Sequence, residues 1–250
     1  MPFPNLEGKH AGRPYVTARR LHEYQALRGD GAAGTPAVVV LSWQASLEEK
    51  VRERRDCLQI RSPSSGTLLV LSSGLGFARL HIGAPAAAII VEELAARGTE
   101  AVIGVGTAGA IGGGLAAGDL VVCTAALRDE GTSHHYAPAE RFALPDPGLT
   151  ARLRARLPAA ACGPSWTTDA PYRETAEEIA CYRDEGILTV EMEAAALFTV
   201  ARLSGLAAAA AFCVSDVLHG EQWEPHFGTT GVKEAMWTLF EAAEACLGYQ

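Results

Sequence analysis

Short apolar runs separated by amphipathic stretches constrain the fold of this chain more than any other feature. Residues 37–41 (AVVVL), 67–71 (TLLVL), 101–105, 119–124 (DLVVCT), 187–190 and 207–214 each read as a buried strand. Helical patterns fall at 45–57, 84–97, 151–157, 175–182, 193–203 and 232–247, and Gly98 stands where the second of these should stop. Runs rich in β-branched residues that alternate with helices imply parallel pairing through crossovers. The expected class is therefore α/β, with helices on both faces of a sheet. Residues 1–35 read as an N-terminal arm with one helical pattern at 17–27, closed by Gly29, Gly31 and Gly34. No repeat, low-complexity tail or composition shift marks a linker, so residues 1–250 read as a single domain.

Composition narrows the function classes. Hydrophobic residues at 48% and charged residues at 20% exclude a disordered or fibrous chain. Lys and Arg number 21 against 29 Asp and Glu, a net charge of −8, which argues against nucleic acid as a partner. The six cysteines form no CxxC pair, and the seven histidines do not pair with carboxylates at helix spacing, so no metal or redox cofactor is implied. His134 and His135 would face opposite ways if they lay on a strand. No apolar leader opens the chain, and its longest apolar stretch, near 206–214, is too short to span a membrane. A cytoplasmic location is expected.

Ligands of open α/β sheets gather at the carboxyl ends of strands, so the residues after each strand are the candidates. Gly104-Val105-Gly106-Thr107-Ala108-Gly109 matches GxGxxG. A dinucleotide site would need a helix next, yet a new strand starts at 119 and leaves no room for one. Two readings stay open. The segment is either a tight turn that lets backbones approach, or an anion- or sugar-binding turn using the Thr107 hydroxyl and N–H groups such as that of Gly106. Glu191-Met192-Glu193 falls at a strand-to-helix junction. A carboxylate there can accept two hydrogen bonds from a vicinal diol, or it can simply favour the helix N-terminus by ~0.3–1 kcal/mol. Asp216 follows the strand at 207–214, where it serves either as a proton donor or as a turn cap.

Several segments in this order carry a more specific signal: 83–94 (GAPAAAIIVEEL), 102–111 (VIGVGTAGAI), 118–122 (GDLVV), 128–136 (RDEGTSHHY) and 190–196 (VEMEAAA). Together they resemble the nucleoside phosphorylase superfamily, most closely its uridine phosphorylase-like branch, from about residue 38 to the C-terminus. The resemblance implies a three-layer αβα sandwich with a central twisted mixed sheet. It implies cleavage of a nucleoside N-glycosidic bond with phosphate as co-substrate and no other cofactor. It also implies a homo-oligomer, a dimer or hexamer. Glu193 would hold ribose O2′ and O3′, Met192 would pack on the sugar, and Glu191 would support them. Asp216 would protonate or hydrogen-bond purine N7, which favours a purine. The stretch 166–175 matches the family's base-binding segment, with Tyr172 or Trp166 stacking on the base and Arg173 at its edge, although isolated aromatics also pack in cores. His10 would reach the sugar O5′ of a neighbouring subunit, or it is simply solvated. Trp223, Pro225 and Phe227 would form a flap or a surface patch.

The chain departs from the family where phosphate should bind. A Gly-Asp-Pro loop with its Arg is replaced by Leu41-Ser42-Trp43-Gln44, and Gly104 stands where a second Arg is expected. Thr107, Gly106, Arg128 and Arg79, with His81 or His134, are the candidates to hold phosphate instead. The alternatives are a nucleosidase that uses water, and a binding protein without chemistry. For the first of these, no carboxylate stands in the N-terminal loop to act as base.

Overall fold

Three valines and a leucine build β1 (Val38–Ser42), whose side chains are buried on both faces. Val39 and Leu41 join one apolar cluster and Val40 joins another, the alternation a strand imposes. The computed structural model describes residues 4–28, 34–60, 66–112, 114–219 and 222–248. Around β1 it sets, in chain order, α1 (Ala18–Leu27), α2 (Ala45–Arg54), β2 (Cys57–Ile60), β3 (Thr67–Leu71), β4 (Gly76–Arg79), α3 (Ala84–Ala96) and β5 (Ala101–Ala110). Next come β6 (Leu120–Asp129), α4 (Ser133–Tyr136), β7 (Phe142–Ala143), α5 (Pro147–Arg156), β8 (Ala161–Thr168) and α6 (Ala176–Asp184). The chain ends with β9 (Thr189–Glu191), α7 (Ala194–Ser204), β10 (Ala207–His219), β11 (Gln222–Pro225) and α8 (Thr230–Leu247). The expected breaks at Gly29 and Gly31 lie outside the described residues.

The strands form one sheet in the order β11-β10-β6-β8-β9-β5-β1-β4-β3-β2, with β7 on β6. A further pairing joins β10 to β5, so β5, β10, β6, β8 and β9 close into a ring at one side of the sheet. Neighbours β1–β5, β1–β4, β5–β10, β6–β8 and β8–β9 run parallel. Pairs β6–β10 and β5–β9 run antiparallel. The sheet is mixed, as the family resemblance implies, and not purely parallel, as the strand–helix alternation suggests.

Helices cover both faces. Apolar side chains of α3 and α7 pack on Val39, Leu41, Val102, Ala208 and Ala210. Those of α2, α5 and α8 pack on Val40, Ile103, Val105, Ala209 and Ala211. Local chemistry sets the helix ends. Thr175 and Glu178 form a reciprocal capping box at the start of α6, and Gly205 (φ 76°) closes α7 in the left-handed region. Among the described residues no helix is long and apolar enough to cross a membrane.

The glycine-rich segment is the main correction. It is not a turn: β5 runs unbroken through it to Ala110, bonded to β10 along one edge and to β1 and β9 along the other. The glycines clear space beside the strand. A Cβ on Gly104 would lie 3.0 Å from Leu197 and 3.3 Å from the Trp43 ring, and one on Gly106 also 3.3 Å from Trp43. Likewise the pattern at 45–57 is not one helix, because α2 ends at Arg54 and Cys57 opens β2, paired with β3. His134 and His135 sit in α4, a helical turn rather than a strand.

Phe240 is fully buried and meets Phe77 edge-on with ring centroids 5.8 Å apart. Phe240→Ala should destabilise the fold by roughly 3–5 kcal/mol, read as a drop in the urea or thermal midpoint.

Candidate active site

β9 ends at Glu191, and the next residues begin α7. The first turn of a helix leaves backbone N–H groups without partners. Glu191, only 5% exposed, fills that role: its Oε2 accepts the N–H of Glu193 and of Ala194, each at 2.7 Å. Its Oε1 accepts from the Thr167 and Ser165 hydroxyls of β8. Thr167 Oγ1 in turn accepts the Ala195 N–H at 3.0 Å. One carboxylate thus joins β8, β9 and α7 and leaves Met192 and Glu193 lining a cavity. Burial pushes the Glu191 carboxyl up to about 6, against the pull of these hydrogen bonds.

Glu193 is 7% exposed, and its Oε1 accepts the Gly83 N–H at 2.6 Å. Gly83 holds φ at 109°, a conformation that suits glycine alone, and opens α3. Burial first, and the nearby Glu191 charge second, push the Glu193 carboxyl up to about 8.

The cavity has a volume of about 630 Å³. Gly106, Thr107, Ala108 and Gly109 of β5 line it along one strand. Trp43 and Gln44 follow β1, and Gln44 donates to Thr107 Oγ1 at 2.9 Å. The Trp43 indole N–H is buried without a partner. From β10 come Ser215 and Asp216. Asp216 Oδ1 accepts the Ser215 hydroxyl at 2.8 Å, and Oδ2 accepts the Trp223 indole N–H at 2.9 Å. Gly109 makes room for this group, since a Cβ there would stand 3.2 Å from Asp216 Oδ2. Ile82, Tyr172, Trp223 and Phe227 bring apolar surface to the lining.

Of the expected site residues, Glu191, Met192, Glu193, Gly106, Thr107, Tyr172 and Asp216 all line this one cavity. Trp223 and Phe227 of the expected flap join them, and Pro225 does not. Trp166 is a correction. It is 1% exposed, packs edge-on against Tyr182 at 4.9 Å, and donates its indole N–H to Asp129, so it is core rather than base platform. Arg173 is exposed and outside the lining. Arg128 is another correction: its guanidinium is spent on Ser133 Oγ and the carbonyls of Ala137, Pro138 and Glu140. Arg79 Nε is paired with Glu48 at 2.5 Å, and Arg79 does not line this cavity. His10 donates to the His134 carbonyl of its own chain at 2.8 Å and does not line this cavity. His81 and His134 do not line it either.

Glu174 is the acidic lining residue that sequence reasoning left without a role. It follows the short 3-10 turn Pro171–Arg173. Burial, then the Asp216 charge, push its carboxyl up to about 7. A carboxylate inside a stretch matched to base binding was the available signal. Four acids therefore line the cavity, and no Lys, Arg or His does so among the described residues. No group of His, Cys, Asp and Glu among them is arranged to hold a metal.

A carboxyl whose folded pKa lies above its unfolded value binds its proton more tightly in the folded state. The Glu193 contribution to stability is thus complete below about 4.5 and is lost as pH rises through about 8. Thermal melts across this range should show stability falling with pH, and Glu193→Gln should shrink that fall.

Several known proteins resemble this chain in sequence or in fold. The family model described as the phosphorylase superfamily matches residues 36–247. A guanosine phosphorylase of Halorubrum lacusprofundi is 38% identical over 176 residues, 67% of this chain and 68% of the relative. A uridine phosphorylase of Thermococcus kodakarensis is 34% identical over 183 residues, 65% of this chain and 64% of the relative. The chain spans about two thirds of the length of these two relatives. A crystal structure of uridine phosphorylase from Vibrio fischeri superposes with a TM-score of 0.70 at 26% identity, covering 85% of this chain and 90% of that one. The chain belongs to the phosphorylase superfamily.

Proposed function

We propose that this protein is an enzyme that cleaves the N-glycosidic bond of a purine nucleoside and passes the ribosyl group to phosphate. One observation carries the reading: Glu193 and Asp216, far apart in sequence, line the same cavity. Breaking a bond between C1′ and a ring nitrogen builds positive charge on the sugar and negative charge on the base. A carboxylate beside the sugar opposes the first in its ionised form, and a proton donor at the base opposes the second. Glu193 holds the vicinal hydroxyls, Met192 packs on the sugar, and Tyr172 offers a ring to the base. Glu191 anchors the first two.

Asp216 supports a purine, and the guanosine phosphorylase among the relatives supports both a purine and phosphate. Thr107, Gln44 and the unpartnered Trp43 indole N–H are neutral polar groups that the lining offers the acceptor. A second reading, transfer to water, is favoured by a lining that holds no Lys, Arg or His among the described residues. A phosphate dianion would meet four acids there with no compensating charge, which is costly in a partly buried site. A homo-oligomer fits the exposed apolar residues of the arm, Leu6, Tyr15, Val16 and Leu27. His10 of one copy would then attend the sugar of a neighbour.

The test is incubation with guanosine, inosine, adenosine and uridine, with and without phosphate. Ribose 1-phosphate formed only with phosphate upholds the first reading. Free ribose without phosphate upholds the second. No turnover of any nucleoside means a binding protein. Glu193→Gln should lower kcat/KM about tenfold, the loss of a hydrogen-bond acceptor for the sugar hydroxyls, with folding retained by circular dichroism.

A further inference from the structure

We propose that Glu174, and not Asp216, is the group that hands a proton to the departing base. The inference rests on the glycosidic cleavage proposed above and deepens it by relocating the acid.

The two carboxyl groups share a cavity but not an environment. Both oxygens of Asp216 accept hydrogen bonds, from the Ser215 hydroxyl and the Trp223 indole N–H. These donors occupy the positions from which a proton would be passed on. Glu174 has the opposite surroundings: its carboxyl makes no hydrogen bond or ion pair with any described residue, and it is open to the cavity. The charged groups acting on it are both acids, Asp216 from β10 and Glu178 from α6, and no cation offsets them. Glu178 is itself held by the Thr175 N–H and hydroxyl in the capping box. Burial and these two neighbours push the Glu174 carboxyl up to about 7, so it holds a proton for much of the time near neutral pH. Of the two acids, Glu174 is the one that presents a carboxyl without hydrogen-bond partners to the cavity, and so the one placed to give up a proton.

The step balances simply. The C1′–N9 bond breaks and its electron pair goes to the base. The Glu174 O–H proton moves to N7, so the purine leaves neutral and Glu174 is left as a carboxylate. The acceptor oxygen, from phosphate or water, bonds to C1′ and releases its own proton to solvent. Glu174 then takes a proton back.

The experiment compares kcat/KM over pH for the wild type, Glu174→Gln, Glu174→Asp and Asp216→Asn, on guanosine and on 7-methylguanosine. The methylated ring already carries positive charge and leaves without receiving a proton. Glu174→Gln should lose about 100-fold or more on guanosine and only a small fraction of its rate on 7-methylguanosine. Glu174→Asp, which keeps an acid, should recover part of the guanosine rate. Asp216→Asn removes the negative neighbour, so the basic limb of the guanosine profile should move to lower pH. Equal loss by Glu174→Gln on both nucleosides overturns the proposal, because it marks a binding or structural role. So does full guanosine activity in Glu174→Gln while Asp216→Asn fails on guanosine alone, which puts the proton on Asp216. A wild type that cleaves neither nucleoside refutes the glycosidic reading itself, an outcome separate from both.

Discussion

The buried carboxylate of Glu191 is the joint on which the site depends. It collects hydroxyl donors from β8 and two backbone N–H groups from the start of α7. An ionised group so far from water is tolerated only when its oxygens are satisfied in this way. The same bonds set the direction in which β9 passes into α7. Met192 and Glu193 follow immediately, and their placement in the cavity is a consequence of that direction. Glu193 is then seated a second time, from outside its own element, by the Gly83 N–H at the head of α3.

Acidity is the cavity's dominant electrostatic property. Glu191, Glu193 and Glu174 all have carboxyl groups held above their ordinary range, with burial the first cause in each. Such a field favours a ligand that becomes positive and donates hydrogen bonds, which describes a ribosyl group losing its base. It disfavours an anionic partner. Among the described residues no arginine or histidine lines the cavity to offset it, and several candidates are held elsewhere. Arg128 braces the segment after α4, Arg79 pairs with Glu48, and His10 pins the arm to His134.

Close backbone approach, not a ligand turn, explains the glycines of β5. Gly104 and Gly106 let the Trp43 ring lie against the strand, and Gly109 leaves space for the Asp216 carboxylate and Leu218. A residue pattern that resembles a phosphate loop is therefore a flat strand in a crowded ring of strands. Trp43, which replaces the family's phosphate loop, depends on those glycines for its position.

The chain by itself determined the α/β class, the strands at β1, β3 and β9, the helices at α3, α7 and α8, and the junction carrying Glu191, Met192 and Glu193. Each of these rests on local periodicity or on residues adjacent in sequence. β8 was not legible, because ACGPSWTT carries glycine, proline and serine in place of a β-branched run and is held by its neighbours β6 and β9. The burial of Trp166 and the engagement of Arg128 were equally hidden, since their partners are set by packing. The same is true of the placing of Glu174 and Asp216 on one cavity, since the two residues lie on segments 42 positions apart. Side-chain type is written in the sequence. Whether a charge or a ring faces a cavity or a core depends on which distant elements close around it, and only the tertiary structure decides that.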